Sequence, residues 1–263
     1  MAVEGQERSS NAIVKERFDI QAKQFDDWHI TGDEELLCSF FRFAGFAESD
    51  TLLDVACGTG RFSVYAAERI KSVCGADISE KMIGVAREHA ARLGLLNIEF
   101  FTLEGESLPF PDGEFSVVTS KAAFHHMERY EQVFREMTRC CRTDGTVCIQ
   151  DIVAYDRPEV DQYFERLELA IDSSHYRSLQ KREMFELFKR GPLQVMRLFE
   201  KESLLDLEHY VGHAVQADND RREVNHLIEH GLRNPVTAPY FVRQNNRLYF
   251  RRRVFVIAGK RLS

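Results

Sequence analysis

Residues 51–62 read Thr51-Leu52-Leu53-Asp54-Val55-Ala56-Cys57-Gly58-Thr59-Gly60-Arg61-Phe62. Thr51 to Val55 is an apolar run too short for a helix and bounded by turn residues, which predicts a buried parallel strand. Two glycines flank Thr59 directly after it, and the helical pattern of Phe62, Tyr65, Ala66 and Arg69 follows. Glycines at such a bend let the chain turn tightly and let a ligand approach main-chain N–H groups with no Cβ between them. Strand, glycine bend and helix in that order point to an α/β fold with a nucleotide-type cofactor site at the strand's carboxyl end.

A dinucleotide site needs a third glycine for helix packing, and the third position here is Ser63. Asp54, just before the bend, sits badly beside a diphosphate but well beside an ammonium group. S-adenosylmethionine (SAM) carries an ammonium and no phosphate. The run Asp54-Val55-Ala56-Cys57-Gly58-Thr59-Gly60 resembles the first motif of class I SAM-dependent methyltransferases. The later run Leu108-Pro109-Phe110-Pro111-Asp112-Gly113-Glu114-Phe115 resembles the quinone-biosynthesis C-methyltransferase-like (methyltransferase type 11) branch of that family.

Bulk composition narrows the alternatives. The 263 residues suit one sizeable α/β domain with an elaboration, and 44% hydrophobic content is ordinary for a water-exposed protein. No apolar run is long enough for a membrane span, and the polar start from Met1 to Asn11 leads us to expect a cytoplasmic protein. Lys plus Arg number 35 against 42 for Asp plus Glu, a net charge of −7 that weighs against a nucleic-acid partner. The six cysteines form no C-x-x-C pair and no zinc-like spacing, so no metal is expected. Cys140 and Cys141 read as neighbours on one helix.

Residues 12–28 carry an apolar stripe at 14, 18, 22 and 25, and Leu36 to Phe46 forms a second helix. Lys71 to Ala76 is the second strand, and Asp77 at its end can accept both hydroxyls of a ribose. Ser79 caps a helix whose stripe Met82, Val85, Ala86, His89, Ala90 and Leu93 is expected to face the sheet, making His89 a core histidine. Asn97 to Leu103 and Ser116 to Ser120 are the third and fourth strands. The loop Lys121-Ala122-Ala123-Phe124-His125-His126-Met127 then lies at the carboxyl edge of the sheet, where ligands of open α/β folds bind. Glu131 to Cys141 is a helix, and Thr143-Asp144-Gly145 turns into strand Thr146 to Ile152.

The strand–helix alternation stops there. Asp156 and Pro158 open a helix with Val160, Tyr163, Phe164, Leu167 and Ile171 inward, and the polar loop Asp172 to Arg177 follows it. Gln180 to Lys189, Leu204 to Val215 and Arg221 to His230 read as helices, with Leu193 to Lys201 and Leu248 to Lys260 as strands. The extra length suggests an inserted cap with turns at Asn234-Pro235 and Ala238-Pro239. The charge run Arg251-Arg252-Arg253 reads as a solvated edge.

The resemblance implies a Rossmann-like, doubly wound, seven-stranded and mostly parallel sheet with an antiparallel last strand and a helical cap. Residues 1–50 would cover the cofactor site, with Phe25 over SAM. Residues 51–153 would be the SAM-binding core, and 154–263 the rest of the sheet with the cap. The implied cofactor contacts are Asp54, Ala56, Gly58, Gly60, Asp77, Ile78, Met82, Glu104, Gly105, Glu106 and Ser120, with Glu104-Gly105 at the adenine in place of the family's usual Asp-Ala. His125 is the candidate proton acceptor, and His126, Ser174, His175 and Arg177 are substrate-side candidates, the last three because a similar Asp-x-Ser-His-x-Arg stretch occurs in the same branch. The expected activity is methyl transfer to a small-molecule acceptor. A homodimer, a SAM-binding protein without turnover and a nicotinamide-dependent reductase stay open at this level.

Overall fold

The computed structural model describes residues 9–27, 32–214 and 218–263. Five strands follow the expected strand–helix rhythm: β1 (Thr51–Val55), β2 (Ser72–Asp77), β3 (Ile98–Thr102), β4 (Phe115–Lys121) and β5 (Cys141–Ile152). Between and before them lie α1 (Ser10–Asp26), α2 (Glu34–Ala44), α3 (Arg61–Ala67), α4 (Glu80–Arg92) and α5 (Tyr130–Cys140). The C-terminal part adds α6 (Pro158–Ile171), α7 (Lys181–Arg190), β6 (Leu193–Asp206), α8 (Leu207–Ala214), α9 (Asp218–Arg233), β7 (Phe241–Gln244) and β8 (Arg247–Arg261). The sheet order is β3-β2-β1-β4-β5-β8-β6, with β7 also paired to β8. Strands β1 to β5 are mutually parallel, whereas β8 runs antiparallel to β5, β6 and β7. The order reverses direction between β1 and β4, which opens the crevice where such sheets take ligands.

Local chemistry sets the helix starts. Asp33 accepts from Leu36 N at 3.0 Å and Ser79 Oγ from Met82 N at 3.1 Å, each satisfying an amide that the first helical turn leaves free. One face of the sheet buries Leu53, Val118 and Ile149 against Phe134, Met137 and Phe188. The other buries Leu52, Val117, Cys148 and Ala258 against Leu37, Phe40 and Phe62. A separate apolar cluster joins α6, α8 and α9 to the ends of β6 and β8, where Phe164 stacks on Phe250 at 5.6 Å. Glu168 of α6 anchors this cap to the sheet by accepting from Arg252 Nε at 2.7 Å and from Tyr210 Oη at 2.6 Å.

Several sequence expectations need correction. Among the described residues the sheet has eight strands rather than seven, because Asn245 and Asn246, both at positive φ, turn the chain into the short β7–β8 hairpin. Cys141 is the first residue of β5, not the end of α5. It pairs with Phe115, and a register shift together with the left-handed Asp144 absorbs the additional residues. Leu204 to Asp206 stay in β6 because they pair with β8 through Asp206↔Tyr249, and Asp206 then accepts from His209 N to start α8. On α4, Ile83 is buried and Leu93 exposed. His89 is buried as expected, with its Nε2 2.8 Å from Asp26 of α1. Of the expected helices, Trp28 and Val215 lie outside the described residues. No helix among the described residues is long and apolar enough to cross a membrane.

Candidate active site

A cavity of about 280 Å³ opens along the carboxyl ends of β1, β2 and β4 and runs on over β5, β8 and β6. One wall begins at the glycine bend. Ala56 and Gly58 both adopt positive φ, 56° and 57°, and Gly58 N donates to Asp77 Oδ2 at 2.8 Å. Asp77 Oδ1 accepts from Ser79 N at 2.9 Å, so two backbone amides aim the carboxylate while it still faces the cavity. Burial pushes the Asp77 carboxyl above its usual range against the pull of those amides.

Asp54 is buried at the end of β1. Ser63 Oγ donates to its Oδ2 at 2.6 Å and Thr119 Oγ1 to its Oδ1 at 2.8 Å, yet burial raises its pKa to about 6. Ser63, at the position where a dinucleotide site needs glycine, is therefore occupied in holding a carboxylate under the loop. Helix α1 forms the facing wall with Asn11, Val14, Phe18, Gln21 and Phe25. It is latched by Asp19, which accepts from Ser79 Oγ at 2.6 Å, and by Asp26, which accepts from Arg61 Nε at 2.8 Å.

Beyond β4 the chain bends at Ala122, another positive-φ alanine at 54°, and enters a 3₁₀ turn over Phe124–His126. Buried Asp151 organises this turn. Its Oδ2 accepts from Ala123 N and Phe124 N, and its Oδ1 lies 2.5 Å from His125 Nδ1. Burial works to raise the Asp151 carboxyl, but His125 and the Ile152 amide outweigh it and hold it low. With Asp151 ionised, His125 donates through Nδ1 and its Nε2 is the ring nitrogen left to accept a proton. His126 Nδ1 donates to the Ser174 carbonyl at 3.0 Å, and burial together with the adjacent His125 lowers its pKa to about 3.

Of the residues singled out in the sequence for the site, Phe25, Asp54, Ala56, Gly58, Asp77, Ile78, Met82, Gly105, Glu106, His125 and His126 line this one cavity. The others do not. Gly60 packs away from it, since a Cβ there would meet Ala86 Cβ at 2.7 Å and Phe100 Cζ at 2.9 Å. Glu104 is exposed, and the neighbouring Glu106 faces the cavity instead, accepting from Asn11 at 3.1 Å. Ser120 lies on the opposite face of β4 from Thr119 and Lys121, with its buried Oγ unpaired among the described residues. Ser174 donates to Asp172 at 2.6 Å, His175 pairs with Glu165 at 3.0 Å, and Arg177 forks onto Glu183 with two contacts of 2.8 Å. The Asp172 to Arg177 loop thus braces the histidine turn from behind, with Tyr176 N donating to the His125 carbonyl at 2.8 Å.

A family model described as a methyltransferase domain, type 11, matches residues 53–149, the span that carries the glycine bend, Asp77 and His125. Residues 53–149 thus carry a methyltransferase domain of type 11, a class I SAM-dependent methyltransferase domain. SAM is its cofactor. The chain is similar to YcgJ of Bacillus subtilis, an uncharacterised methyltransferase, at 25% identity over 80% of this chain and 83% of that one. The demethylmenaquinone methyltransferase of Listeria monocytogenes is 36% identical over 43% of this chain and 49% of its own. Among solved structures, YcgJ superposes with a TM-score of 0.77 over 87% of this chain and 99% of that chain, at 22% identity. A methyltransferase-like protein of Bacillus halodurans gives 0.78 over 86% and 99%, also at 22%. At those identities the superpositions establish the fold.

Sequence reasoning put Lys121 in the loop at the ligand-binding edge but missed most of the far wall of the cavity, formed with Lys121 by Gln150, Asp172, Lys201, Ser203, Tyr210 and Arg252, the last read as part of a solvated edge. Lys121 directly follows β4's predicted end, and the alternation of β6 would have put Lys201, Ser203 and Leu205 on one face had its length been read correctly.

Proposed function

We propose that this methyltransferase acts on a small-molecule acceptor held between the glycine bend and the histidine turn, with His125 taking up the acceptor's proton. The observation that carries this reading is the single cavity joining Asp77 to His125, walled by α1 on one side and Tyr210 of the cap on the other. A cavity of this size suits a small ligand, and a net charge of −7 weighs against a polyanionic partner.

In this assignment Asp77 binds the ribose hydroxyls, aimed by Gly58 N and Ser79 N. Asp54 supplies the negative charge beside the ammonium. Ile78 and Met82 form the apolar wall toward the adenine, with Gly105 and Glu106 at its polar edge in place of the exposed Glu104. Bound SAM supplies a methyl group already activated by its sulfonium. The protein's task is then alignment and water exclusion, which can contribute roughly 7 to 11 kcal/mol, more than a general base at about 10² to 10⁴-fold. His125, oriented by Asp151, collects the proton that an acceptor O–H, N–H or C–H gives up, and neutral His126 offers a hydrogen-bond acceptor beside it.

Calorimetry with SAM and S-adenosylhomocysteine on wild type and Asp77→Ala tests the cofactor half. Micromolar binding by wild type and its loss in the variant are expected. Wild-type protein that ignores both nucleosides at millimolar concentration, or a variant that binds them undiminished, refutes the assignment.

A further inference from the structure

We infer that the acceptor is an acid whose carboxylate or phosphate sits between Lys121 and Lys201. This deepens the function proposed above and rests on it.

The cavity floor changes character along the sheet. Toward the middle of the sheet the same face carries the apolar residues Leu52, Val117, Cys148 and Ala258. At the edge stand Lys121 on β4, Gln150 on β5, and Lys201 and Ser203 on β6. Lys121 is aligned with Gln150 in the parallel pairing, and Lys201 reaches the same floor through its pairing with Val254, itself opposite Ile152 of β5.

The four lysines and arginines lining the cavity differ in one respect. Arg61 is paired with Asp26, and Arg252 with Glu168. Neither the Lys121 nor the Lys201 ammonium makes a hydrogen bond or ion pair among the described residues. The two carboxylates nearest Lys121 in charge are already committed: Asp54 to Ser63 and Thr119, Asp151 to His125 and three backbone amides. Both side chains are half-buried; an ammonium held partly away from water without a direct counter-ion carries a cost that an aliphatic side chain on the same floor would avoid. Burial, with Lys201 nearby, lowers the Lys121 pKa, a penalty that an entering anion would relieve. Gln150 and Ser203 add donors suited to the same oxygens.

The test uses protein loaded with S-adenosylhomocysteine and three probes followed by calorimetry: benzoate, phenyl phosphate and neutral benzamide. At least one anion should bind about tenfold more tightly than benzamide, the preference should vanish in Lys121→Met and in Lys201→Met, and Lys201→Arg should restore it. Whichever anion is preferred identifies the acidic group. Adenosylhomocysteine affinity should stay unchanged in all three variants. Absence of an anion preference in wild type, including failure of all three probes to bind, overturns the inference. So does a loss of adenosylhomocysteine affinity matching the loss of anion affinity, because the lysines would then serve the cofactor's own carboxylate. Wild-type protein that never loads with adenosylhomocysteine is a different result and refutes the proposed function itself.

Discussion

Replacing Asp54 by Asn should make the cofactor-free protein more stable at neutral pH while weakening its hold on SAM. The carboxylate is buried and its pKa rises from 3.8 to about 6, chiefly through burial, despite the Ser63 and Thr119 hydroxyls. At 1.36 kcal/mol per pH unit, that displacement is worth about 3 kcal/mol. The sign follows from which state binds the proton more tightly. The folded pKa lies above the unfolded one, so folding is favoured most below 3.8, loses ground as pH climbs from 3.8 to 6, and bears the full penalty above 6. Asn has the same shape and cannot ionise. Thermal melts should therefore show Asp54→Asn more stable than wild type by about 1 to 3 kcal/mol at pH 8, the gap closing toward pH 4.

Titrations with SAM should show the opposite preference. An ammonium beside Asp54 favours the ionised form, so wild-type affinity should fall by up to about tenfold per pH unit below 6. The Asn variant should bind weakly and without that slope. Equal melting differences at pH 4 and 8, or the same pH slope of SAM affinity in both proteins, would refute the reasoning.

Two further substitutions probe the scaffold and the histidine turn. Gly60→Ala puts a Cβ at positive φ between Ala86 and Phe100, neither of which can retreat from the core, so urea unfolding should show a loss of about 2 to 4 kcal/mol. A change within about 0.5 kcal/mol would show that the loop shifts freely. His125→Ala and Asp151→Asn should each slow single-turnover methyl transfer by about 10² to 10⁴-fold with SAM affinity intact. Variants that keep full turnover would remove His125 from the chemistry.

Much of the fold was legible in the residues because its causes are local. Apolar runs bounded by turn residues located β1 to β4 to within a residue or two, Ser79 announced its helix, and the glycine pair marked the bend. Where a local signal served two purposes, the reading slipped. Gly60 looked like a ligand-facing glycine, but its missing Cβ makes room for Ala86 and Phe100. Arg177 and His175 looked like recognition groups in a polar loop, but their charges are taken up by Glu183 and Glu165.

The sequence by itself determined the strand–bend–helix unit, the carboxylates at Asp54 and Asp77, and the cofactor class they suit. The tertiary structure alone decided what faces them. Lys201, Ser203 and Arg252 reach the cavity through the long antiparallel pairing of β6 with β8, and Asp151 meets His125 through the parallel register of β4 with β5. Periodicity records which residues of one element are buried together. Which side chains meet across elements depends on register and on helices packed from distant parts of the chain, and these are settled only when the whole core closes.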